Sequence, residues 1–224
     1  MTTILDQKQK IMSILNVFET GSIKGDYSNI SVFEDGPNNM KQITYGRSQT
    51  TEWGGLPILV NEYIANKGQY ADQLIPYTGK LGKVSLVGDK VLVETLKKAG
   101  SDPVMIKTQD AFFDRQYWAP AYKFMTDNGF TLPLAGLAIY DSYIHSGSIP
   151  VYLRNRFPEN PPARKGNERV WVEQYLNTRK NWLSTHSRTI LHKTVYRVNN
   201  MLTAIKENNW DLKKPFNANG IVVV

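Results

Sequence analysis

Apolar residues recur at helical spacing along most of the chain and predict a mainly helical protein. The first helix is indicated by four apolar residues three or four positions apart: Ile11, Ile14, Leu15 and Phe18. Asp6 and Gln9 have the form of a capping box that begins this helix, and Gly21 is suited to end it. The further predicted helices are Leu56–Ala65, Asp89–Ala99, Pro103–Asn128, Leu132–Ser146, Glu168–Ser184 and Thr194–Asn208. Within Pro103–Asn128, Pro120 should kink or split the helix.

Alternation of apolar and polar residues predicts one β-hairpin. Ile30, Val32 and Glu34 alternate with polar neighbours, G-P-N-N then reads as a turn, and Lys41–Arg47 reads as the return strand. A short strand is also predicted at Ile221–Val224. The pattern as a whole predicts a mainly α protein with one small hairpin.

Composition excludes several kinds of site. The chain has no cysteine, which excludes disulfides, thiolate nucleophiles and cysteine-bound zinc. Its three histidines form no H-E-x-x-H pair, so we expect no metal and no other cofactor. No apolar run reaches the roughly 18 residues of a membrane helix, and M-T-T-I-L-D-Q-K-Q-K contains no basic segment followed by an apolar one, so no signal peptide is visible.

The formal net charge of +7 raises the question of a nucleic-acid partner. The basic residues form only short clusters, such as Lys97-Lys98 and the region from Arg154 to Lys165, and no RNA-binding or zinc-finger signature accompanies them. We therefore expect a solvated basic surface and no nucleic-acid partner.

Three charged residues fall on apolar helix faces. Asp141 lies within the apolar stripe of one predicted helix, Arg179 lies within the stripe of the next, and Arg197 flanks the stripe of the last. Because an isolated buried charge is unfavourable by several kcal/mol, we infer that these three side chains pair. They either form a structural ion pair between helices or set the protonation state of a nearby catalytic carboxyl, for which Glu19 is the candidate.

Two carboxylates end predicted elements near the start of the chain. Glu19 lies in the last turn of the first helix, and Asp35 follows the first strand of the hairpin. Hydrolysis of a glycosidic bond requires one protonated and one ionised carboxyl group on opposite sides of the sugar. The spacing of these two residues alone does not establish such a pair, since most acidic pairs this far apart are solvated.

Six segments, in the same order, resemble glycoside hydrolase family 46, the bacterial chitosanases. They are V-F-E-T-G (Val17–Gly21), Asp35 before Gly36, Q-D-A-F-F-D-R-Q-Y-W-A-P-A (Gln109–Ala121), Y-D-S-Y-I-H-S-G (Tyr140–Gly147), Y-L-N-T-R-K (Tyr175–Lys180) and R-V-N-N-M-L-T-A-I-K-E-N-N-W-D-L (Arg197–Leu212). The resemblance spans nearly the whole chain.

The resemblance implies a lysozyme-like α+β fold with two helical lobes around a cleft. It would form a single catalytic domain, 1–224, with one lobe of roughly 1–50 plus the C-terminal helices and a second lobe of 55–130. It also implies metal-free, inverting hydrolysis of the β-1,4 bonds of chitosan, with Glu19 as general acid and Asp35 as general base. In an inverting enzyme these carboxyl groups would lie roughly 6.5–9.5 Å apart or more. Asp141, Arg179 and Arg197 would form the buried charge network behind the acid.

The sequence departs from the family at positions that contact substrate. The family's glycine-arginine-glycine-tyrosine-threonine after the base is replaced by G-P-N-N-M-K, which leaves Thr44 as the candidate that positions the attacking water. The family's substrate-binding aspartate falls near Gly55, so Glu52 is the candidate replacement, and a family histidine is Ser146 here. We therefore hypothesise retained chemistry with altered sugar specificity, in which Glu34, Glu52 and Tyr27 contact the substrate.

Two alternatives remain open on the sequence. A basic protein also suits anionic peptidoglycan, which a muramidase-like hydrolase would cleave, and a non-catalytic domain would bind cell-wall sugar only. Five aromatic residues are candidates to stack on sugar rings, although core packing is the commoner role for each: Tyr27, Tyr45, Trp53, Tyr117 and Trp118. From the resemblance we expect an extracellular monomer that acts on a polysaccharide.

Overall fold

A computed structural model describes residues 2–47 and 49–224, and these residues form α-helices and two small antiparallel sheets. The α-helices are α1 Lys8–Thr20, α2 Leu56–Ala65, α3 Ala71–Leu74, α4 Lys90–Ala99, α5 Pro103–Phe113, α6 Ala119–Asp127, α7 Pro133–Ser146, α8 Val151–Arg154, α9 Glu168–Thr185 and α10 Val195–Lys206. The strands are β1 Ile30–Phe33, β2 Gln42–Tyr45, β3 Thr50–Thr51, β4 Phe216–Ala218 and β5 Ile221–Val223. The predicted fold class, mainly α with a small antiparallel sheet, is confirmed.

The first compact unit contains the residues up to Lys24 together with Arg115–Val224. Its central element is α7, in which every residue from Pro133 to Ser142 is buried. Helices α1, α6, α9 and α10 pack against α7, and the β4–β5 hairpin packs against α1 and α10. A charged residue in the middle of α7 is therefore surrounded by helices rather than by water.

The start of α1 differs from the prediction. Gln7 is the N-cap of α1 and its side chain makes no capping hydrogen bond. Asp6 instead accepts a 2.8 Å hydrogen bond from the backbone N–H of Thr3, and the Thr3 hydroxyl accepts one from the backbone N–H of Asp6 at 3.2 Å. The reciprocal cap thus lies one turn earlier, and the predicted pairing of Asp6 with Gln9 was wrong.

The second compact unit is Gly25–Asp114. Its sheet has the order β1–β2–β3, and in the β1–β2 hairpin Phe33 is opposite Gln42 while Ser31 is opposite Thr44. Because side chains alternate across a strand, Gln42 and Thr44 share one face of β2, and Ile43 and Tyr45 share the other. Ile43 and Tyr45 belong to the hydrophobic core that packs the sheet against α2, α4 and α5.

Several element boundaries follow the predicted signals. The bounds of α2 are those predicted, Asp89 caps α4 by accepting a 2.9 Å hydrogen bond from the N–H of Leu92, and Gly21 ends α1 with a left-handed backbone (φ 69°). The long predicted helix is divided as expected near Pro120, which occupies the first turn of α6. A π-helical turn, Asp114–Trp118, connects α5 to α6.

Four short elements were not predicted from the sequence pattern. Strand β3 has two residues, β4 has three, and α3 and α8 have four each, so none is long enough to show a period.

The single catalytic domain with two lobes stays a prediction; in the structure, residues 30–51 belong to the same unit as α2 to α5. None of the helices in the described residues has the length and apolarity that a bilayer crossing requires.

Candidate active site

Glu19 occupies the last turn of α1, and local contacts fix the end of that helix. The N–H of Gly21 donates to the carbonyl oxygen of Val17 at 2.9 Å, and the Thr20 hydroxyl donates to the carbonyl oxygen of Asn16 at 2.8 Å. The Asn16 side-chain amide in turn donates to the carbonyl oxygen of Ile23 at 3.0 Å. The backbone that carries Glu19 is therefore held on both sides of the helix end.

Glu19 is one end of a charge network that continues into the interior of the first unit. Arg197 of α10 places Nη1 2.6 Å from the Glu19 carboxylate, and its Nη2 lies 2.6 Å and its Nε 2.8 Å from Oδ1 of Asp141 on α7. Arg179 of α9 binds the other oxygen of Asp141. The structure thus brings together four predicted site residues, Glu19, Asp141, Arg179 and Arg197.

Burial increases through this network. The side chain of Glu19 is 23% exposed, that of Arg197 is 5% exposed, and those of Arg179 and Asp141 are 1% and 0% exposed. With Glu19 ionised, two carboxylates balance two guanidinium groups. Glu19 is therefore the member of this network that is accessible to a ligand.

The interior members have altered proton affinities. Burial opposes ionisation of Asp141, but Arg197 and Arg179 outweigh it and lower its pKa to about 2. His145, one turn further along α7, is affected in the same direction: burial lowers its pKa to about 4, and the charge of Arg179 adds to this effect. Asp141 is therefore ionised and His145 neutral over most of the pH range in which proteins work.

Aromatic side chains surround the Glu19 end. The guanidinium carbon of Arg197 lies 5.3 Å from the centre of the Phe18 ring, and the Tyr196 hydroxyl donates to the carbonyl oxygen of Phe18 at 2.8 Å. Burial raises the pKa of Tyr117, and the negative charge of Glu19 raises it further. The Phe18 ring therefore packs against the guanidinium group that binds Glu19.

Asp35 lies in the second unit, two residues after the end of β1, and is exposed. Its Oδ1 accepts a 2.8 Å hydrogen bond from the side-chain amide of Gln42, the first residue of β2. The Gln42 side chain is buried, and its oxygen accepts a 3.2 Å hydrogen bond from the backbone N–H of Trp53. Sequence reasoning missed Gln42, because one amide at the start of a short strand has no distinctive pattern.

Thr44 and Glu34 flank this carboxylate along the hairpin. Thr44 shares the β2 face of Gln42, and its hydroxyl is buried with no hydrogen-bond partner among residues 2–47 and 49–224. Glu34 is exposed and lies 3.6 Å from the ammonium group of Lys41, which is exposed as well. Their predicted roles, positioning water and binding substrate, stay predictions.

Glu52 does not contact solvent, which contradicts its predicted role in substrate binding. Its side chain is fully buried, and its carboxylate accepts hydrogen bonds from the backbone N–H groups of Ile43 at 3.0 Å and Leu86 at 2.6 Å. These bonds attach the loop before α4 to strand β2. The family resemblance alone suggested Glu52 as the replacement for the substrate-binding aspartate, and the sequence does not show that the segment around Leu86 covers it.

Tyr27 is bound within the second unit. Its hydroxyl donates to Oδ1 of Asp110 at 2.8 Å, the same carboxylate binds Arg47, and the backbone oxygen of Tyr27 accepts from the amide of Gln109 at 2.9 Å. Burial raises the pKa of Tyr27, and the hydrogen bond to Asp110 raises it further. The ring stays partly exposed, so its contact with substrate remains a prediction.

Two of the other aromatic candidates are core residues. Tyr45 is fully buried, and Trp118 is buried between Tyr122, with ring centres 5.7 Å apart, and Tyr140, with ring centres 5.0 Å apart. No group of three or more potential metal ligands is found among the described residues.

Comparison with known proteins places this geometry in a family. The model of glycosyl hydrolase family 46 matches residues 13–216. A chitosanase of Bacillus subtilis (strain 168) is 24% identical over 228 residues, which cover 94% of this chain and 80% of the relative.

Two solved structures share the fold. The native chitosanase of Bacillus subtilis MY002 is 23% identical with a TM-score of 0.82, and the match covers 98% of each chain. The family 46 chitosanase of Gynuella sunshinyii in complex with chitotetraose is 24% identical with a TM-score of 0.78, and the match covers 96% of each chain. The predicted family is confirmed: the chain belongs to glycosyl hydrolase family 46.

Proposed function

We propose that this glycoside hydrolase cleaves the β-1,4 bonds of chitosan within the polymer, with inversion, and that Glu19 and Asp35 are its general acid and general base. The observation that carries the assignment of the acid is the charge network that ends on Glu19. Arg179, Arg197 and Asp141 are buried, whereas Glu19 is partly exposed. Glu19 can therefore reach a substrate while Arg197 stabilises the charge that forms on it when it donates its proton.

Arg197 lies where negative charge forms on Glu19 during the reaction, with its Nη1 2.6 Å from the Glu19 carboxylate. When Glu19 gives its proton to the leaving glycosidic oxygen, Arg197 therefore stabilises the carboxylate that forms. Asp141 and Arg179 hold Arg197 in the orientation that this step requires.

Asp35 is suited to the second role. It is exposed, and its hydrogen-bond partner Gln42 is neutral, so the ionised form can accept a proton from water. We assign the positioning of that water to Thr44, which shares the β2 face of Gln42, the hydrogen-bond partner of Asp35. Inversion follows if water attacks the anomeric carbon directly, without a covalent intermediate.

The relatives favour chitosan as the substrate over peptidoglycan, since those described above are chitosanases and one of them binds chitotetraose. The charge of Glu34 beside Asp35 is offset by Lys41, 3.6 Å away, so Asp35 is the carboxylate of this turn that would attract an ammonium group of the polymer despite the net positive charge of the chain. We propose action outside the cell and as a monomer, in line with the family resemblance.

The test is the release of reducing ends from chitosan and from purified peptidoglycan by the parent, Glu19→Gln and Glu207→Gln. Glu207 is an exposed glutamate at the end of α10 and serves as the matched control. We expect the parent and Glu207→Gln to cleave chitosan, and Glu19→Gln to lose at least about a hundredfold in rate, as the removal of general acid catalysis predicts. Undiminished activity of Glu19→Gln would assign the acid elsewhere, and cleavage of peptidoglycan alone would refute chitosan as the substrate.

A further inference from the structure

We propose that Gln42 is a positioning residue for the general base: its amide fixes the orientation of the Asp35 carboxylate and leaves Oδ2 to activate water. The proposal rests on the function proposed above and adds a residue that the sequence did not indicate. It depends on a chain of hydrogen bonds from Asp35 through Gln42 to the backbone of Trp53.

The orientation of the Gln42 amide is determined by its partners. A glutamine amide has an oxygen that only accepts and a nitrogen that only donates hydrogen bonds. The oxygen of Gln42 lies 3.2 Å from the N–H of Trp53, so its NH2 group must face Asp35, 2.8 Å away. Gln42 itself is 4% exposed, which restricts its side chain to this conformation.

The turn that follows Asp35 is also fixed. The N–H of Gly36 donates to the carbonyl oxygen of Met40 at 3.0 Å, and Asn38 and Asn39, which follow Pro37 in the turn, have left-handed backbones (φ 55° and 60°). A Cβ on Gly36 would lie 2.8 Å from the Met40 oxygen and 3.4 Å from Cδ1 of Trp53. Trp53 therefore covers the turn and, through its N–H, also fixes Gln42.

In catalysis the two oxygens of Asp35 have different roles. Oδ1 accepts from Gln42, and Oδ2 is the oxygen that takes the proton of the attacking water. An exposed aspartate at a turn would otherwise rotate freely, and a misplaced base loses much of its effect on rate. Other charged groups of this unit near the turn are the exposed pair Glu34 and Lys41, whereas Glu52 is directed to backbone N–H groups on the opposite side of β2.

The experiment compares kcat, KM and the pH–rate profile on chitosan for the parent, Gln42→Leu, Gln42→Glu and Gln73→Leu. Gln73, on α3, contacts Thr95 instead of Asp35 and is the control for replacing a glutamine of this unit by leucine. We expect Gln42→Leu to lower kcat about tenfold or more with little change in KM, and Gln73→Leu to behave as the parent.

Gln42→Glu separates positioning from a structural role. When protonated, the introduced carboxyl still accepts from Trp53 and donates to Asp35, so it replaces the amide. Burial and the charge of Asp35 raise the pKa of this carboxyl above the ordinary glutamate value of about 4.3. As the pH rises through that raised pKa, the carboxyl ionises beside Asp35 and repels it. The activity of this variant relative to the parent should therefore be greatest at acid pH and fall as the pH rises. Because the replacement keeps the shape and the bond to Trp53, it tests the proposal even if Gln42→Leu fails to fold.

A folded Gln42→Glu with parental activity at every pH, or with the same fractional loss at every pH, would overturn the proposal. An active parent, an inactive Asp35→Asn and unaffected Gln42 variants would refute the positioning role and leave the proposed function intact. An inactive parent would overturn both.

Discussion

Arg197 lies 2.6 Å from Glu19, and the same guanidinium group binds Asp141 in the interior of the first unit. The exposed carboxylate at the end of α1 is thereby connected to the centre of α7 by one side chain. Because α10 carries Arg197, three helices must pack correctly before Glu19 acquires its charged partner. Stability and activity should therefore depend on the same residues.

Arg197→Lys tests the need for a guanidinium group that binds two carboxylates. Lysine keeps the positive charge but has one nitrogen in place of the three of a guanidinium group. It therefore cannot bind Glu19 and Asp141 at the same time in the present geometry. We expect a loss in kcat of at least about tenfold, since an unoriented acid loses much of its catalytic effect. Chitosan hydrolysis measured beside the circular dichroism spectrum checks this, and parental kcat in Arg197→Lys would show that charge alone suffices.

Asp141→Asn should lower stability and activity together. The neutral amide leaves two buried guanidinium groups without their shared counter-ion, and breaking a buried pair in this way costs about 3–5 kcal/mol. Asp127→Asn is the matched control, because Asp127 pairs with Lys123 at 2.8 Å on the surface of α6 and such exposed helical pairs contribute roughly 0.3–0.5 kcal/mol. Urea unfolding and chitosan hydrolysis are the measurements. If Asp141→Asn were as stable and as active as Asp127→Asn, the network would have no role.

His145 should make the protein less stable as the pH falls. Its pKa is about 4 in the folded chain, below the ordinary value of 6.5, so the unfolded chain binds more protons between these two pH values. Stability therefore decreases as the pH falls from 6.5 towards 4, by up to about 3 kcal/mol from this residue. His145→Gln should reduce the slope of unfolding free energy against pH in that window, measured by urea unfolding at several pH values. An unchanged slope would show that His145 titrates normally.

Glu52→Gln tests the structural role assigned to a residue that the sequence placed in substrate binding. Glutamine can accept only one of the two backbone hydrogen bonds from Ile43 and Leu86, and its NH2 group then faces the other N–H. We expect a loss of about 1–3 kcal/mol in unfolding free energy with KM for chitosan unchanged in the folded enzyme. Glu94→Gln, on the exposed face of α4, is the control. A raised KM without loss of stability would restore the original interpretation.

The sequence predicted the helices in which apolar residues recur at helical spacing. Helices α2, α9 and α10 were placed within two residues of their bounds because their apolar stripes extend over many turns. Charges on the apolar faces of α7, α9 and α10 predicted the contacts of Asp141 with Arg179 and Arg197, since a buried charge requires a partner.

The remaining features depend on contacts between segments that the pattern does not connect. Glu52 is buried by a loop more than thirty residues further along the chain, near Leu86. Gln42 acquires its role only when β1 and β2 pair and Trp53 approaches them. The roles of Glu19 and Asp35 came from the family resemblance, because nothing in their spacing distinguishes them from solvated acids.

The most direct test of the acid–base assignment is the anomeric form of the first product. Proton NMR should follow the hydrolysis of a chitosan oligosaccharide by the parent and by Glu19→Gln. The account predicts that the parent releases the α-anomer first, since inversion at a β-linked sugar produces it, and that Glu19→Gln releases almost no product. A β-anomer formed first by the parent, or normal turnover by Glu19→Gln, would contradict it.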